Sequence, residues 1–182
     1  MKAKLPIVLA LLSLAVLLIQ SPVAAGSSTT YQFATSGNGT LLATTQCTFF
    51  VGGPSTSCTA TGVLNGAAGP NPIVGNYTTI YSINAQKGYV GAAPGEICAP
   101  FTAKTTYVTT LGLLYLTESG DVCQTPPTDT EAGLLIWTGD YHIQNGTVAF
   151  SGASGNGLFI ANTQAAVATG TDLEVWRGTI KY

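Results

Sequence analysis

The chain reads as all-β, a set of short antiparallel strands that pack as a sandwich or close into a barrel. Three observations predict this. Beyond residue 25 no segment keeps a helical period through its own Gly, Pro and Thr content, while several segments alternate apolar and polar residues with the two-residue period of a half-buried strand. Gly and Pro clusters separate those segments at short spacing. Charged residues make up only 8% of the chain, against a usual value of about 25%. The 22 Gly and 27 Thr leave hydroxyls and backbone to make the surface polar.

Residues 1–25 read as a secretory signal. Lys2 and Lys4 give the positive start, Leu5 to Ile19 the apolar core, and Val23-Ala24-Ala25 the small-residue cleavage site. Spanning a membrane takes roughly 20 apolar residues, and this stretch is shorter and carries Pro6 and Ser13. Residues 26–182 then form one secreted or otherwise extracytoplasmic domain, with no membrane insertion after cleavage. That domain has Lys87, Lys104, Arg177 and Lys181 against eight acids, a formal charge of −4. Four scattered cations cannot neutralise a run of phosphates, so no nucleic-acid partner is expected.

Along the domain, Leu41 to Phe50 and Ser57 to Leu64 flank a reversal at Gly52-Gly53-Pro54. Gly66 to Gly75 reads as a loop. Asn76 to Asn84 alternates Tyr77, Thr79, Tyr81 and Ile83 against Thr78, Ile80 and Ser82, a strand with two faces. Gly88 to Pro100 is irregular. Thr102 to Leu116 is the longest strand candidate, with Tyr107, Thr109, Leu111, Leu113 and Tyr115 on one side, and Glu118-Ser119-Gly120-Asp121 reads as the turn after it. Gln124 to Gly133, with Pro126-Pro127, is a surface connection. From Leu134 to Gln144 the face of Leu135, Trp137, Tyr141 and Ile143 is apolar, Asn145-Gly146 turns the chain, and Thr147 to Phe150 returns. Leu173 to Tyr182 places Trp176, Gly178, Ile180 and Tyr182 on one face.

Cys47, Cys58, Cys98 and Cys123 are an even set in an exported chain and read as two disulfides with three possible connectivities. Cys47 with Cys58 is favoured because the pair flanks the Gly52-Gly53-Pro54 reversal, and Cys98 with Cys123 because it closes a long hairpin. No Cys-x-x-Cys occurs and His142 is the single histidine, so neither a metal site nor a cofactor is expected.

The run Gln144-Asn145-Gly146-Thr147-Val148-Ala149-Phe150-Ser151-Gly152-Ala153-Ser154-Gly155-Asn156-Gly157, preceded by Gly139-Asp140-Tyr141-His142-Ile143 and followed by Trp176-Arg177-Gly178-Thr179-Ile180-Lys181-Tyr182, resembles the closing half of allene oxide cyclase and dirigent-type barrels. It is similar above all to exported bacterial members of unassigned function. The likeness covers roughly the last 50 residues, and Asn145 and Val148 stand where the pattern has glycines. The resemblance implies an eight-stranded antiparallel β-barrel with a small apolar interior, often a homotrimer. An interior of that size is either filled by side chains or holds one small ligand.

Tyr107, Tyr115, Trp137, Tyr141 and Trp176 are the candidates to line such an interior, as ligand cavity or as core. Asp140 and His142 share one strand face as an acid and base would, but it is the face opposite the apolar one, where solvated residues belong. Glu118, Asp121, Asp129 and Glu131 lack the spacing of a calcium loop. No catalytic set is assigned. The expected function is a secreted, disulfide-bonded, non-catalytic binding or structural module whose partner is a small hydrophobic ligand. The alternatives are a cyclase-like or dirigent-like enzyme acting on an apolar substrate, and a cell-surface adhesion protein presenting its Thr-rich exterior.

Overall fold

In the computed structural model, residues 29–42, 47–125, 133–164 and 170–182 are described; the expected signal segment lies outside them. They form β1 (Thr30–Leu41), β2 (Thr56–Ala68), β3 (Asn71–Ile83), β4 (Tyr89–Val90), β5 (Ile97–Thr109), β6 (Gly112–Gln124), β7 (Leu134–Gly146), β8 (Ser154–Gln164) and β9 (Thr171–Lys181), with 3-10 turns at Ala85–Lys87 and Val148–Phe150. The eight long strands pair antiparallel, each with its neighbours in the chain, and β3 pairs directly with β5. β1 pairs with β9 from Thr30↔Lys181 to Thr40↔Thr171, which closes the barrel. The two-residue β4 adds to the end of β5. Closure removes the open strand edges that a sandwich would leave, so the structure is the barrel and not the sandwich.

Strand alternation sets which side chains enter the barrel. Tyr77, Thr79, Tyr81 and Ile83 of β3 are buried while Asn76, Thr78, Ile80 and Ser82 are exposed, and Leu135, Trp137, Tyr141 and Ile143 of β7 point inward as their apolar face predicts. One end is sealed by Phe150 and Tyr31 packed against Tyr182, whose hydroxyl donates to the Ala68 carbonyl at 2.9 Å and accepts from Asn71 at 2.7 Å. Over the other end lies the segment from Cys47, with Phe49 buried beneath it. The Cys47–Cys58 disulfide ties that segment to β2, and Cys98–Cys123 bridges directly paired positions of β5 and β6. Two disulfides are the chemistry of an oxidising, extracytoplasmic compartment.

Several boundaries differ from the sequence expectation. The segment 102–116 is not one strand: β5 ends at Thr109 and β6 begins at Gly112, whose φ of +126° no other residue type adopts readily. The Thr109 hydroxyl, which accepts from Leu111 N–H at 3.1 Å and donates to the Gly112 carbonyl at 2.8 Å, makes the turn. This reversal inverts the two faces of β6 relative to the single-strand expectation. Glu118-Ser119-Gly120-Asp121 is accordingly mid-strand in β6 and not a turn. The Gly66–Gly75 loop contracts to Gly69-Pro70, with Gly69 at φ +61°. β1 ends at Leu41, and Thr147 to Phe150 is no return strand. Its 3-10 turn, entered through Val148 at φ 55°, carries the chain to β8. The polar connection after Gln124 lies mostly outside the described residues.

Candidate functional site

Three carboxylates point into the barrel: Glu118, Asp172 and Glu174, at most 2% exposed. Asp172 and Glu174 sit two apart on β9 and four and two before Trp176, so all three share its inward face. Asp172 accepts from Tyr77 Oη and Thr163 Oγ1, each at 2.7 Å, and Trp137 Nε1 donates to Thr163 at 3.0 Å. Glu174 accepts from Tyr81 Oη at 2.8 Å and Thr79 Oγ1 at 2.9 Å. Glu118 Oε1 accepts from Trp176 Nε1 at 3.2 Å, whereas Glu118 Oε2 is buried without a partner.

The tyrosines reach the acids because glycines clear their path. Tyr77 lies across Gly37 and Gly39, where an added Cβ would stand 2.6 Å from Tyr77 Cε1 and 2.7 Å from Tyr77 Oη. The Tyr77 phenol then sits far from water, and burial favours its neutral form. Burial, reinforced by the charge of Asp172, holds the Glu174 carboxyl well above the usual range. Burial alone pushes Glu118 up to about 7, opposed by hydrogen bonds from Thr105 and Trp176. The Tyr77 and Tyr81 hydroxyls are raised by burial and then by Glu174 and Asp172.

Of the five aromatic residues singled out in the sequence, Tyr107, Trp137, Tyr141 and Trp176 are fully buried in the lumen. Tyr115 is not among them. It lies half-buried on the outer side between inward Leu114 and Leu116, because the Thr109–Gly112 turn reversed the parity. The lumen rings pack closely: Tyr81 stacks on Trp137 at 4.1 Å, Phe101 meets Trp137 edge-on at 5.0 Å, and Tyr107, Phe159 and Tyr77 surround Trp176 at 5.2, 5.6 and 5.9 Å. Tyr107 Oη and Thr35 Oγ1 are 2.9 Å apart. Tyr141 Oη makes no well-formed hydrogen bond, the backbone of Thr179 being the polar group it faces.

An open cleft of about 390 Å³ lies at the disulfide end, between the ends of β3 and β5. Ile83, Pro100 and Phe101 make its apolar lining and Ser82, Asn84, Lys87 and Thr102 its polar rim. Phe101 joins the two regions, since it lines the cleft and packs on both Trp137 and Tyr81. Asn84 Oδ1, in the wall, is buried and unpartnered.

Asp140 and His142 are exposed on the outer wall beside Asn156 and Leu158. Glu118 and Asp121 of the supposed acidic turn fall on opposite faces of β6, and Asp129 and Glu131 lie outside the described residues. Among the described residues, the one cluster with metal-ligating spacing is Glu96, Cys98 and Cys123. Its two sulfurs are already joined to each other. The lumen acids went unplaced by sequence reasoning, although the parity of Asp172 and Glu174 with Trp176 was the available signal.

Fold and site together define a closed, disulfide-bonded, eight-stranded antiparallel barrel with an aromatic, carboxyl-bearing lumen. Comparison with family models, curated proteins and solved structures finds no match for this chain.

Proposed function

We propose that this is a secreted, non-catalytic binding module that takes a small, largely apolar ligand in the cleft above Phe101. The cleft itself carries this reading. Its volume lies in the range of small-molecule sites, about 300 to 1,000 Å³, and an apolar floor with a few polar groups is their usual composition. Asn84 Oδ1 offers an unmet acceptor for a ligand hydroxyl. Asp172 and Glu174 are engaged by hydrogen bonds through both oxygens, which argues against the cyclase-like alternative that the family resemblance raises. Benzyl alcohol and toluene are suitable matched probes, with emission of Trp137, 5.0 Å from Phe101, as the readout. Saturable change, stronger for benzyl alcohol and lost when Ser82→Phe fills the cleft, is expected. Absence of saturation with either probe, or equal binding by the Ser82→Phe variant, would overturn the reading.

A second reading, surface adhesion, has one specific observation in its favour. Thr171, Thr40, Thr61, Thr78 and Thr106 lie in register on the outer wall across β9, β1, β2, β3 and β5. Retention on cellulose or chitin that is lost in a Thr61→Lys, Thr78→Lys variant would support it, and unchanged retention would end it.

A further inference from the structure

We propose that Glu118, Asp172 and Glu174 form a pH-sensitive latch inside the barrel, drawn tight in acid and loosened as Glu118 and Glu174 lose their protons. The geometry is that of struts across the lumen. Tyr77, Thr79 and Tyr81 of β3 meet Asp172 and Glu174 of β9, although β2 and β1 lie between those strands in the sheet. Trp176 of β9 meets Glu118 of β6, with β8 and β7 between. These contacts hold opposite walls together.

The titratable groups facing the latch are Tyr77 and Tyr81 from β3, Tyr107 from β5, Tyr141 from β7, and the three acids themselves from β6 and β9. From β1, β2 and β8 the side chains buried in the lumen are Phe33, Thr35, Leu41, Cys58, Ala60, Leu64, Ala68, Phe159, Ala161 and Thr163, none of which titrates here, while the half-buried Tyr31 of β1 packs against Tyr182 at the Phe150 end. Lys87, Lys104, Arg177, Lys181 and His142 are all exposed, so among the described residues no cation faces the lumen. Each further ionisation therefore adds like charge to a space with nothing to balance it.

The sign follows from burial. Glu118 and Glu174 keep a proton in the folded barrel that the unfolded chain gives up, because desolvation raises both carboxyls. Their contribution to stability is complete below the ordinary carboxyl range and is lost as pH rises, through about 7 for Glu118 and well above the ordinary carboxyl range for Glu174.

Urea unfolding of the intact, disulfide-bonded domain at pH near 4.5, 6 and 7.5 tests this, together with the protons released on unfolding near pH 6. The unfolding midpoint of the wild type should fall across the series, with release of roughly one proton or more per molecule. Glu118→Gln and Glu174→Gln mimic the acid forms and should each flatten the fall and reduce the release. A wild-type midpoint that is constant or rises with pH, proton uptake on unfolding, or Gln variants as steep as wild type would overturn the proposal. The proton measurement needs only the wild type, and none of these outcomes depends on ligand binding in the cleft.

Discussion

Tyr81 joins two kinds of interaction in one side chain: its hydroxyl donates to Glu174 Oε1 at 2.8 Å while its ring stacks on Trp137 at 4.1 Å. The first ties β3 to β9 across the lumen, and the second anchors β3 to β7. A change to Phe keeps the stack and leaves a buried acceptor unmet, for which we predict a loss of about 1 to 3 kcal/mol. Tyr81→Ala removes both and should cost about 3 to 5 kcal/mol. Urea unfolding at one fixed acidic pH separates the two; equal losses would mean that the hydroxyl, and not the ring, carries the tie.

Glu118 should be visible through its neighbour. Its Oε1 accepts from Trp176 Nε1, and burial places the carboxyl at about 7. Ionisation strengthens that hydrogen bond and changes the field at the indole. In a Trp137→Phe background, Trp176 emission is expected to titrate with a midpoint near 7, and Glu118→Gln should abolish the transition. Persistence of the transition in that variant would assign it elsewhere.

The two disulfides span 11 and 25 residues of sequence. Restriction of the unfolded chain predicts about 3 kcal/mol for each, with the longer loop worth about 0.7 kcal/mol more. Paired Cys→Ala variants should therefore unfold at lower urea, Cys98→Ala, Cys123→Ala slightly earlier than Cys47→Ala, Cys58→Ala. The reverse order would show that anchoring Phe49 over the barrel end outweighs loop length.

Glycines here serve two different needs. Gly39 has an inward position where a Cβ would lie 2.1 Å from the Thr61 carbonyl and 2.7 Å from Tyr77 Oη, so Gly39→Ala must displace backbone and the Tyr77–Asp172 contact. Gly152 has φ +75° with open space around it, and Gly152→Ala meets only the left-handed penalty of about 1 to 2 kcal/mol. Thermal unfolding should show the Gly39 variant as clearly the less stable of the two.

Tyr107 and Tyr115, which the sequence puts on one face, should respond oppositely. Tyr107→Ala empties a fully buried site and is expected to cost about 3 to 5 kcal/mol, whereas Tyr115→Ala on the outer wall should cost about 1 kcal/mol or less. Similar losses would place Tyr115 in an outer contact of its own.

The sequence by itself determined the all-β class and the inward faces of β3, β7 and the Trp176 end of β9, and among three connectivities it favoured the cysteine pairing that the barrel contains. Alternation with period two and the reversal between Cys47 and Cys58 are local signals, and local signals survive without coordinates. What only the tertiary structure decided was where the register starts and what fills the lumen. A two-residue turn at Thr110-Leu111, unmarked by Asn or Pro, moved Tyr115 outward and Glu118 inward. Asp172 and Glu174 carry the same parity as Trp176, yet a carboxylate is ordinarily expected in water. Their burial becomes acceptable only where Tyr77, Thr79, Tyr81 and Thr163 arrive from positions 9 to 95 residues away in the sequence to hydrogen-bond them.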